Sequence, residues 1–197
     1  MSKPTENREK KRREIERVAA HLFAKKGFQA TSVRVLAKDL GMTQASIYYY
    51  FDNKEELLFK LMNNAMVDAL ASINDTWLSD VSAEEKLRRI LGYYTRYYAG
   101  EQDQEILLLT EMNSLTPEHR AVLVEKQRHY LKIFYDILQK LKGQGKIKGD
   151  IHHSVATFAF LGMVHYTVRW YHPNGPVSLD QLSEMFVEIF TRGILST

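Results

Sequence analysis

Polar and aromatic side chains suited to a DNA groove are concentrated in one 21-residue segment, residues 31–51, with the sequence TSVRVLAKDLGMTQASIYYYF. Its second half combines hydroxyl, amide and phenol groups and has little that is apolar apart from Ile47. A helix with so little apolar surface must leave most of its side chains exposed. A helix this short is stable only when its neighbours support it. The pattern therefore predicts a supported helix that presents hydrogen-bonding groups to a partner.

The first half of the segment predicts a second helix directly in front of the exposed one. Its apolar residues recur at offsets of 0, 3, 4 and 7, which places them on one helical face. These residues are Val33, Leu36, Ala37 and Leu40. Thr31 or Ser32 can cap this helix, Gly41 can end it, and Thr43 can cap the next one. A helix, a glycine-containing turn and an exposed polar helix form the helix-turn-helix pattern of DNA-binding proteins.

Composition limits the class of protein to which the chain can belong. Its 197 residues have room for one compact domain, or for a small domain joined to a larger one. The absence of cysteine excludes disulfide bonds and thiolate zinc sites. The charged N-terminus predicts no signal peptide, and the longest apolar tract, residues 155–168, is too short to span a bilayer. We therefore expect a soluble cytoplasmic protein that associates with the nucleoid and has no membrane partner.

Positive charge is concentrated in the part of the chain that contains the predicted helix-turn-helix. Residues 1–60 contain 13 Lys/Arg and 8 Asp/Glu, a net charge of +5, whereas residues 61–197 contain 14 and 16, a net charge of −2. Binding to a phosphate backbone requires such an excess. Much of it comes from the basic run at residues 8–13, although the glutamates around that run also fit a simple solvated helix start.

Hydrophobic periodicity predicts about nine helices and no strands, which is an all-α fold. Three of these helices belong to the basic N-terminal part and six follow it. The predicted helices cover approximately residues 6–26, 33–40, 43–49, 53–75, 82–98, 102–112, 116–142, 151–171 and 178–195.

The block FAKKGFQATSVRVLAKDLGMTQASIYYYFDNKEELL, residues 23–58, resembles the signature of the TetR family of bacterial transcription regulators. The resemblance rests on Gly27 and the aromatic residue after it, Ala37, Gly41, the run YYYF and Lys54. It implies a three-helix DNA-binding domain over residues 1–52 and a six-helix ligand-binding and dimerisation domain over residues 53–197. It further implies a homodimeric repressor that binds a palindromic operator in double-stranded DNA and is released by a small hydrophobic effector.

By this resemblance, the helix that starts at Thr43 is the recognition helix. The Gln44 amide can pair with adenine, the hydroxyls of Thr43 and Ser46 can contact base edges or phosphate, and Ala45 lets the helix approach closely. Gln44 stands where the family often has a basic residue, so one phosphate contact is expected to be missing. The full set of predicted DNA contacts is Thr31, Arg34, Thr43, Gln44, Ala45, Ser46, Tyr48, Tyr49 and Lys54.

Three consecutive tyrosines cannot all face DNA, because neighbouring residues of a helix point about 100° apart. Tyr48 and Tyr49 are similar to family positions that contact phosphate, whereas we expect Tyr50 and Phe51 to be core residues. Lys54 is expected to add positive charge to the start of the following helix, where phosphate is already attracted.

The middle helices are rich in aromatic residues, and family members enclose a ligand pocket there. Most of these side chains also fit an ordinary helical core. The tract VRWYHPNGP, residues 168–176, is similar to one in TetR-type repressors of fatty-acid and sterol catabolism, which respond to acyl-CoA thioesters. Arg169 can pair with a CoA phosphate or carboxylate, or it can complement a helix C-terminus or a glutamate across the dimer. The predicted ligand-binding residues are Tyr93, Tyr97, Leu108, Met112, Phe134, Tyr166, Arg169 and Trp170.

The last two helices are expected to pair with a second subunit, as they do in the family. Part of their apolar surface must also serve the core of the same chain. The predicted interface residues are Phe158, Gly162, Leu182, Met185, Phe186 and Ile189. In the implied mechanism, a ligand tilts the long helix at residues 53–75 and disturbs the spacing of the two recognition helices.

An enzyme and an architectural DNA-binding protein are the two alternatives to a ligand-responsive regulator. No nucleotide-binding loop, nucleophile elbow or zinc-protease motif is present, so we predict no catalytic residue and no enzyme activity. The seven histidines fit surface or helix-end positions better than a metal site, so no metal ligand is predicted. An architectural DNA-binding protein without a ligand remains the alternative, and a fully packed middle of the larger unit would favour it.

Overall fold

The computed structural model describes residues 3–196, with side chains described from residue 6 onward. It confirms an all-α fold, with nine α-helices and no strand in the described part of the chain. The helices are α1 (Lys3–Lys26), α2 (Val33–Asp39), α3 (Gln44–Tyr48), α4 (Lys54–Leu78), α5 (Ala83–Gly100), α6 (Gln102–Thr110), α7 (Pro117–Gly143), α8 (His153–His165) and α9 (Leu179–Ile194). The outermost predicted domain limits, residues 1 and 197, lie outside the described residues.

Capping side chains and two glycines define the helix-turn-helix locally. Of the two alternative caps of α2, Ser32 takes the N-cap position, and Thr43 caps α3 as predicted, while Asn53 caps α4. Gly27 ends α1 with φ of +85°, and Gly41 lies in the turn after α2 with φ of +62°. Both angles belong to the left-handed region that glycine adopts without steric cost.

The N-terminal unit has its own small apolar core. α1 contributes one stripe to it, α2 and α3 pack across that stripe, and the first turns of α4 close it. The fully buried members include Ile15, Ala19, Phe23, Leu36, Ile47, Phe51, Leu57 and Leu58.

The six remaining helices form a bundle around α5. This helix packs against α4, α6, α7, α8 and α9, with its most extensive contact to α9. The predicted helix at residues 151–171 is shorter than expected, because α8 ends at His165 and the chain continues as a 3-10 turn, Tyr166–Arg169. Within that turn the Thr167 hydroxyl donates to the Val164 carbonyl at 2.6 Å. Such local side-chain bonds compete with a regular helix. An isolated antiparallel bridge joins Ile147 to Leu195.

Lys54, the first residue of α4, holds the turn between α1 and α2. Its ammonium group donates to the Phe28 carbonyl at 2.8 Å and to the Thr31 carbonyl at 3.1 Å. It also lies 4.0 Å from the centre of the Phe28 ring. Partial burial lowers the pKa of Lys54, and the nearby Glu111 carboxylate opposes that shift. The side chain therefore joins the start of α4 to the turn that precedes the helix-turn-helix.

We expect the substitution Lys54→Met to lower the free energy of unfolding by about 1–3 kcal/mol, because it removes two charge-assisted hydrogen bonds and keeps the aliphatic stem. Urea denaturation followed by circular dichroism measures the change. The exposed Lys38→Met is the matched control and should change stability by less than about 0.5 kcal/mol. Equal unfolding midpoints for the two variants would show that Lys54 does not stabilise the turn.

Candidate DNA interface and effector cleft

Most of the predicted DNA contacts lie on the exposed side of α2 and α3. Arg34, Thr43, Gln44, Ala45, Tyr48 and Tyr49 are exposed, and Ser46 is half-buried. Ile47 is 2% exposed and anchors α3 to the core, so the rest of this short helix is free to face outward. The hydroxyls of Thr43 and Ser46 lie 2.8 Å apart, and Thr43 also accepts the Ser46 N–H at 3.1 Å. The surface thus offers the donors and acceptors that readout of a major groove requires.

One of the predicted contacts is wrong, and another has a structural role that the sequence did not predict. Thr31 is fully buried, and its hydroxyl donates to the Gly27 carbonyl at 2.9 Å, so it holds the turn rather than meeting DNA. Lys54 is half-buried and donates to the carbonyls of Phe28 and Thr31, so it also holds the turn, and its contact with phosphate stays a prediction. Both structural roles have one cause: a polar side chain near the interface in sequence can bond to backbone carbonyls that only the folded turn brings near.

The N-terminal helix contributes a residue that sequence reasoning did not assign to the interface. The Arg8 guanidinium lies over the exposed Tyr49 ring, 5.0 Å from its centre. A cation–π contact of this kind orients both groups. Phe51 is buried as expected, whereas Tyr50 is half-buried and packs edge-on against Tyr49 at 5.2 Å. The basic run before residue 13 was the available signal for Arg8.

The predicted ligand-binding residues do not form one pocket. Tyr93 and Tyr97 stack on each other at 5.7 Å on the outer side of α5, and their hydroxyls bond to the Asp68 carbonyl and the Gln104 side chain. They line a surface groove of about 570 Å³. Leu108 and Phe134 are core residues, Met112 packs against the core from a half-buried position, and Trp170 is 47% exposed.

Tyr166 and Arg169 instead line an open cleft of about 750 Å³ between α1, α6 and the end of α8. The DNA-binding unit supplies Phe23 and Gly27 to its wall, and α6 supplies Leu109. Arg169 is exposed, so its charge lies at the solvent side of the cleft. A ligand in this cleft would touch both units of the chain at once.

A buried polar pair lies behind the wall of the cleft. His165 lines the cleft, and its Nε2 is 3.5 Å from Oε1 of Glu105, which is 1% exposed and has no hydrogen-bond partner. Burial raises the pKa of Glu105 to about 8 and lowers the pKa of His165 to about 4. Both groups are therefore held neutral, or share one proton, near pH 7. His165 is the last residue of α8, and its ring lies beside the buried Glu105 instead of facing only solvent.

Three tyrosines surround this pair. Tyr94 lies between Tyr98 and Tyr130, with ring centres 4.8 and 5.6 Å away, and the Tyr98 ring is 6.0 Å from the His165 ring. Burial raises the pKa of Tyr130 to about 12 and, with the neighbouring Glu105, keeps all three phenols protonated. The sequence pattern could have found this inner pair, since Tyr94 and Tyr98 have the same spacing as the outer pair.

A direct link joins the cleft to the DNA-binding unit. Glu111, at the edge of the cleft, accepts the backbone N–H of Phe28 at 3.2 Å. The Phe28 carbonyl accepts a hydrogen bond from the Lys54 ammonium group. On the other side of α1, His21 lies 3.1 Å from the Asp103 carboxylate of α6.

The predicted interface residues divide between the surface and the core. Phe158, Met185 and Ile189 are 57, 51 and 61% exposed, and Gly162 is exposed beside them on α8. Leu182 and Phe186 are 3 and 8% exposed, so they belong to the part of the apolar surface that serves the core of the same chain. They pack into the core of their own chain, where α9 meets α5.

In the described part of the chain, no helix is both long and apolar enough to cross a membrane.

The proton held by Glu105 and His165 makes stability depend on pH. The folded pair holds one proton between about pH 4 and 8, whereas the unfolded pair loses its last proton near 6.5. Because the folded state then binds more protons, stability falls as pH rises from 6.5 to 8, by up to about 1.4 kcal/mol per pH unit. Between pH 4.5 and 6.5 both states hold one proton, so this pair contributes no slope.

Thermal denaturation across pH 5–8.5 tests this pair. In Glu105→Gln the decline between pH 6.5 and 8 should disappear, because the glutamine cannot carry the proton. Glu184 is exposed, so Glu184→Gln is the control and should keep the decline in stability between pH 6.5 and 8. A decline of equal size in the Glu105 variant would contradict the assignment.

Comparison with known proteins identifies both parts of the chain. Residues 15–61 match the model of bacterial regulatory proteins of the tetR family. Residues 80–194 match the model of a tetracyclin repressor-like C-terminal domain. The domain boundary at residues 52 and 53 falls inside the first match and stays a prediction.

Three known proteins are similar over nearly the whole chain. The HTH-type transcriptional repressor KstR2 of Rhodococcus jostii is 26% identical over 98% of this chain and 95% of its own. The fatty acid metabolism regulator protein of Bacillus subtilis is 27% identical over 89% and 91%. The crystal structure of AibR in complex with isovaleryl coenzyme A and operator DNA superimposes with a TM-score of 0.79, at 28% identity over 90% and 96%. Together with the helix-turn-helix and the six-helix bundle, these matches show that the chain is a transcriptional regulator of the TetR family.

Proposed function

We propose that this regulator is a homodimeric repressor that binds a palindromic operator and is released by an acyl-CoA thioester. The observation that carries the proposal is the cleft between α1, α6 and α8, because its walls belong to both units of the chain. The similarity of the chain to a repressor, to a fatty acid metabolism regulator and to a protein in complex with isovaleryl coenzyme A supports the choice of effector class. Such a protein acts on the nucleoid, in the cytoplasm.

The charge and shape of the cleft fit a long ligand with one anionic end. Phe23, Leu109 and Val168 give it apolar walls, which suit an acyl chain. Arg169, exposed at the solvent side, can pair with a phosphate of coenzyme A through its planar guanidinium. Tyr166 lines the same cleft and Trp170 is exposed just beyond it, so both can border the coenzyme A part.

Coupling to DNA runs through the turn at Phe28 in this proposal. A ligand that moves Glu111 or α1 strains the hydrogen bond from the Phe28 N–H, and Lys54 transmits the change to the start of α4. The recognition helix α3 lies between these two points in the chain. A coupling of about 1–3 kcal/mol is enough for a 5- to 150-fold loss of operator affinity.

A second subunit is proposed to cover the exposed apolar face of α8 and α9. Val155, Phe158, Met185 and Ile189 are each more than half exposed on these two helices. A contiguous apolar face of this kind on a soluble protein usually marks an interface. A dimer places two recognition helices on two half-sites, which a single helix-turn-helix needs for specific binding.

One observation favours the alternative, an architectural protein without a ligand. The interior of the bundle is packed, and the void beside Tyr94, Tyr130 and Phe134 has room for about one water molecule. The open cleft beside α1 favours a sensor instead. Release of DNA by a ligand distinguishes the two.

Fluorescence anisotropy on an operator selected from a random duplex pool tests the proposed function. We expect wild-type protein to bind a palindromic duplex and octanoyl-CoA to raise its apparent Kd at least fivefold. Gln44→Ala, which truncates an exposed amide of α3, should lose about 1–3 kcal/mol of binding to the selected site and keep its response to ligand. Free coenzyme A is the ligand control. Binding that stays the same with every acyl-CoA tested would support the architectural protein.

Ile189→Glu should convert the dimer to a monomer, because it places a charge in the centre of the proposed apolar interface. Sedimentation equilibrium at micromolar concentration measures the mass. Glu184→Gln, also exposed on α9, is the control and should remain dimeric. A monomeric wild-type protein would contradict the proposed assembly.

A further inference from the structure

We infer that the effector carries a neutral oxygen on its acyl part, a hydroxyl or a keto group, and that His165, with Glu105 behind it, hydrogen-bonds this oxygen inside the cleft. The inference rests on the proposed function, because it concerns the acyl part of the same effector. It adds a chemical requirement that a plain hydrocarbon chain does not meet.

The geometry places a buried carboxyl oxygen without a hydrogen-bond partner next to an imidazole that lines the cleft. His165 belongs to the wall of the cleft, and 29% of its side chain is exposed there. Its Nε2 is 3.5 Å from Oε1 of Glu105, too far for a strong hydrogen bond. Glu105 is 1% exposed and its Oε1 has no partner among the described residues. Both groups therefore retain hydrogen-bonding capacity toward a third atom.

A ligand oxygen would correct an energetic deficit that a hydrocarbon would deepen. Leaving a buried donor or acceptor without a partner costs much more than an average hydrogen bond contributes. A hydrocarbon filling the cleft would cut His165 off from water and leave the pair unsatisfied. A hydroxyl or carbonyl oxygen beside His165 accepts or donates the missing bond, and His165 can in turn approach Glu105.

The charges around the pair require this oxygen to be neutral. The groups that face Glu105 are the His165 ring and the uncharged phenols of Tyr94, Tyr98 and Tyr130. A carboxylate at this depth would lie next to a buried carboxyl group without a permanent cation, which is strongly unfavourable. The cation of the cleft, Arg169, is at the solvent side. The anionic part of the ligand therefore belongs at the mouth and a neutral oxygen belongs at the inner wall.

Isothermal titration of the full-length protein with eight-carbon CoA thioesters tests the inference. The probes are octanoyl-CoA, its hydroxy and keto derivatives with the oxygen at C3 or near the chain end, and suberyl-CoA, which ends in a carboxylate. We expect at least one neutral oxygenated thioester to bind about tenfold more tightly than octanoyl-CoA, and suberyl-CoA to bind more weakly.

Variants of the pair assign that preference to named residues. His165→Phe keeps a ring but cannot hydrogen-bond, so it should lose the tenfold preference, and it should bind octanoyl-CoA more tightly because the hydrocarbon then desolvates no imidazole. His165→Gln retains a donor and an acceptor and should keep part of the preference, which covers the case in which the phenylalanine variant does not fold. Glu105→Gln should reduce the preference, since Glu105 positions His165. His172→Phe, in the exposed loop after α8, is the matched control.

The outcomes separate this inference from the proposed function. If octanoyl-CoA binds as tightly as every oxygenated thioester, the inference is overturned and the acyl-CoA effector stands. If His165→Phe weakens all thioesters equally, His165 serves the thioester carbonyl that they share, and the inference is again overturned. If none of the thioesters binds, the proposed effector class is wrong and the inference fails with it.

Discussion

The two helical units meet at Phe28, and their arrangement depends on the hydrogen bonds that its backbone N–H and carbonyl make. The N–H of this residue donates to the Glu111 carboxylate, and its carbonyl accepts from the Lys54 ammonium. Backbone polar groups that leave solvent must find partners, and here two side chains of opposite charge provide them. Glu111 lies beside the open cleft, and Lys54 begins α4. The orientation of α2 and α3 therefore follows from a turn that both units hold.

Glu105 shows the opposite case within the bundle. Its carboxyl group is as deeply buried as any core residue, yet it has no cation beside it and no hydrogen bond to Oε1. Burial alone raises its pKa to about 8, so the fold keeps it uncharged instead of pairing it. Charged groups at the Phe28 turn stabilise a joint, whereas the neutral pair behind the cleft remains available to a ligand. Glu105 lies on α6 and Glu111 directly follows that helix, so the two arrangements are close together along the chain.

Equal spacing leaves open which of two helix faces the fold buries. Tyr93 and Tyr97 have the same separation as Tyr94 and Tyr98, and only the inner pair lies among α7 and α8. The two pairs lie on different faces of one helix, and periodicity does not say which face a later helix will cover. The apolar stripe of α9 divided in the same way: Met185 and Ile189 are exposed, whereas Phe186 is taken up by the core of its own chain. Local patterns predict that a residue is apolar and helical, but not which neighbour buries it.

The amino-acid sequence by itself determined the all-α class, the order of the helices, their caps and turns, and the exposed character of α3. Each of these depends on residues within about four positions of one another, such as the hydroxyl of Thr43 and the N–H of Ser46. Only the tertiary structure decided that Lys54 and Thr31 hold a turn, that Glu105 lies behind His165, and that the cleft is shared by both units. These arrangements join residues tens of positions apart, and their partners become known only when the helices have packed.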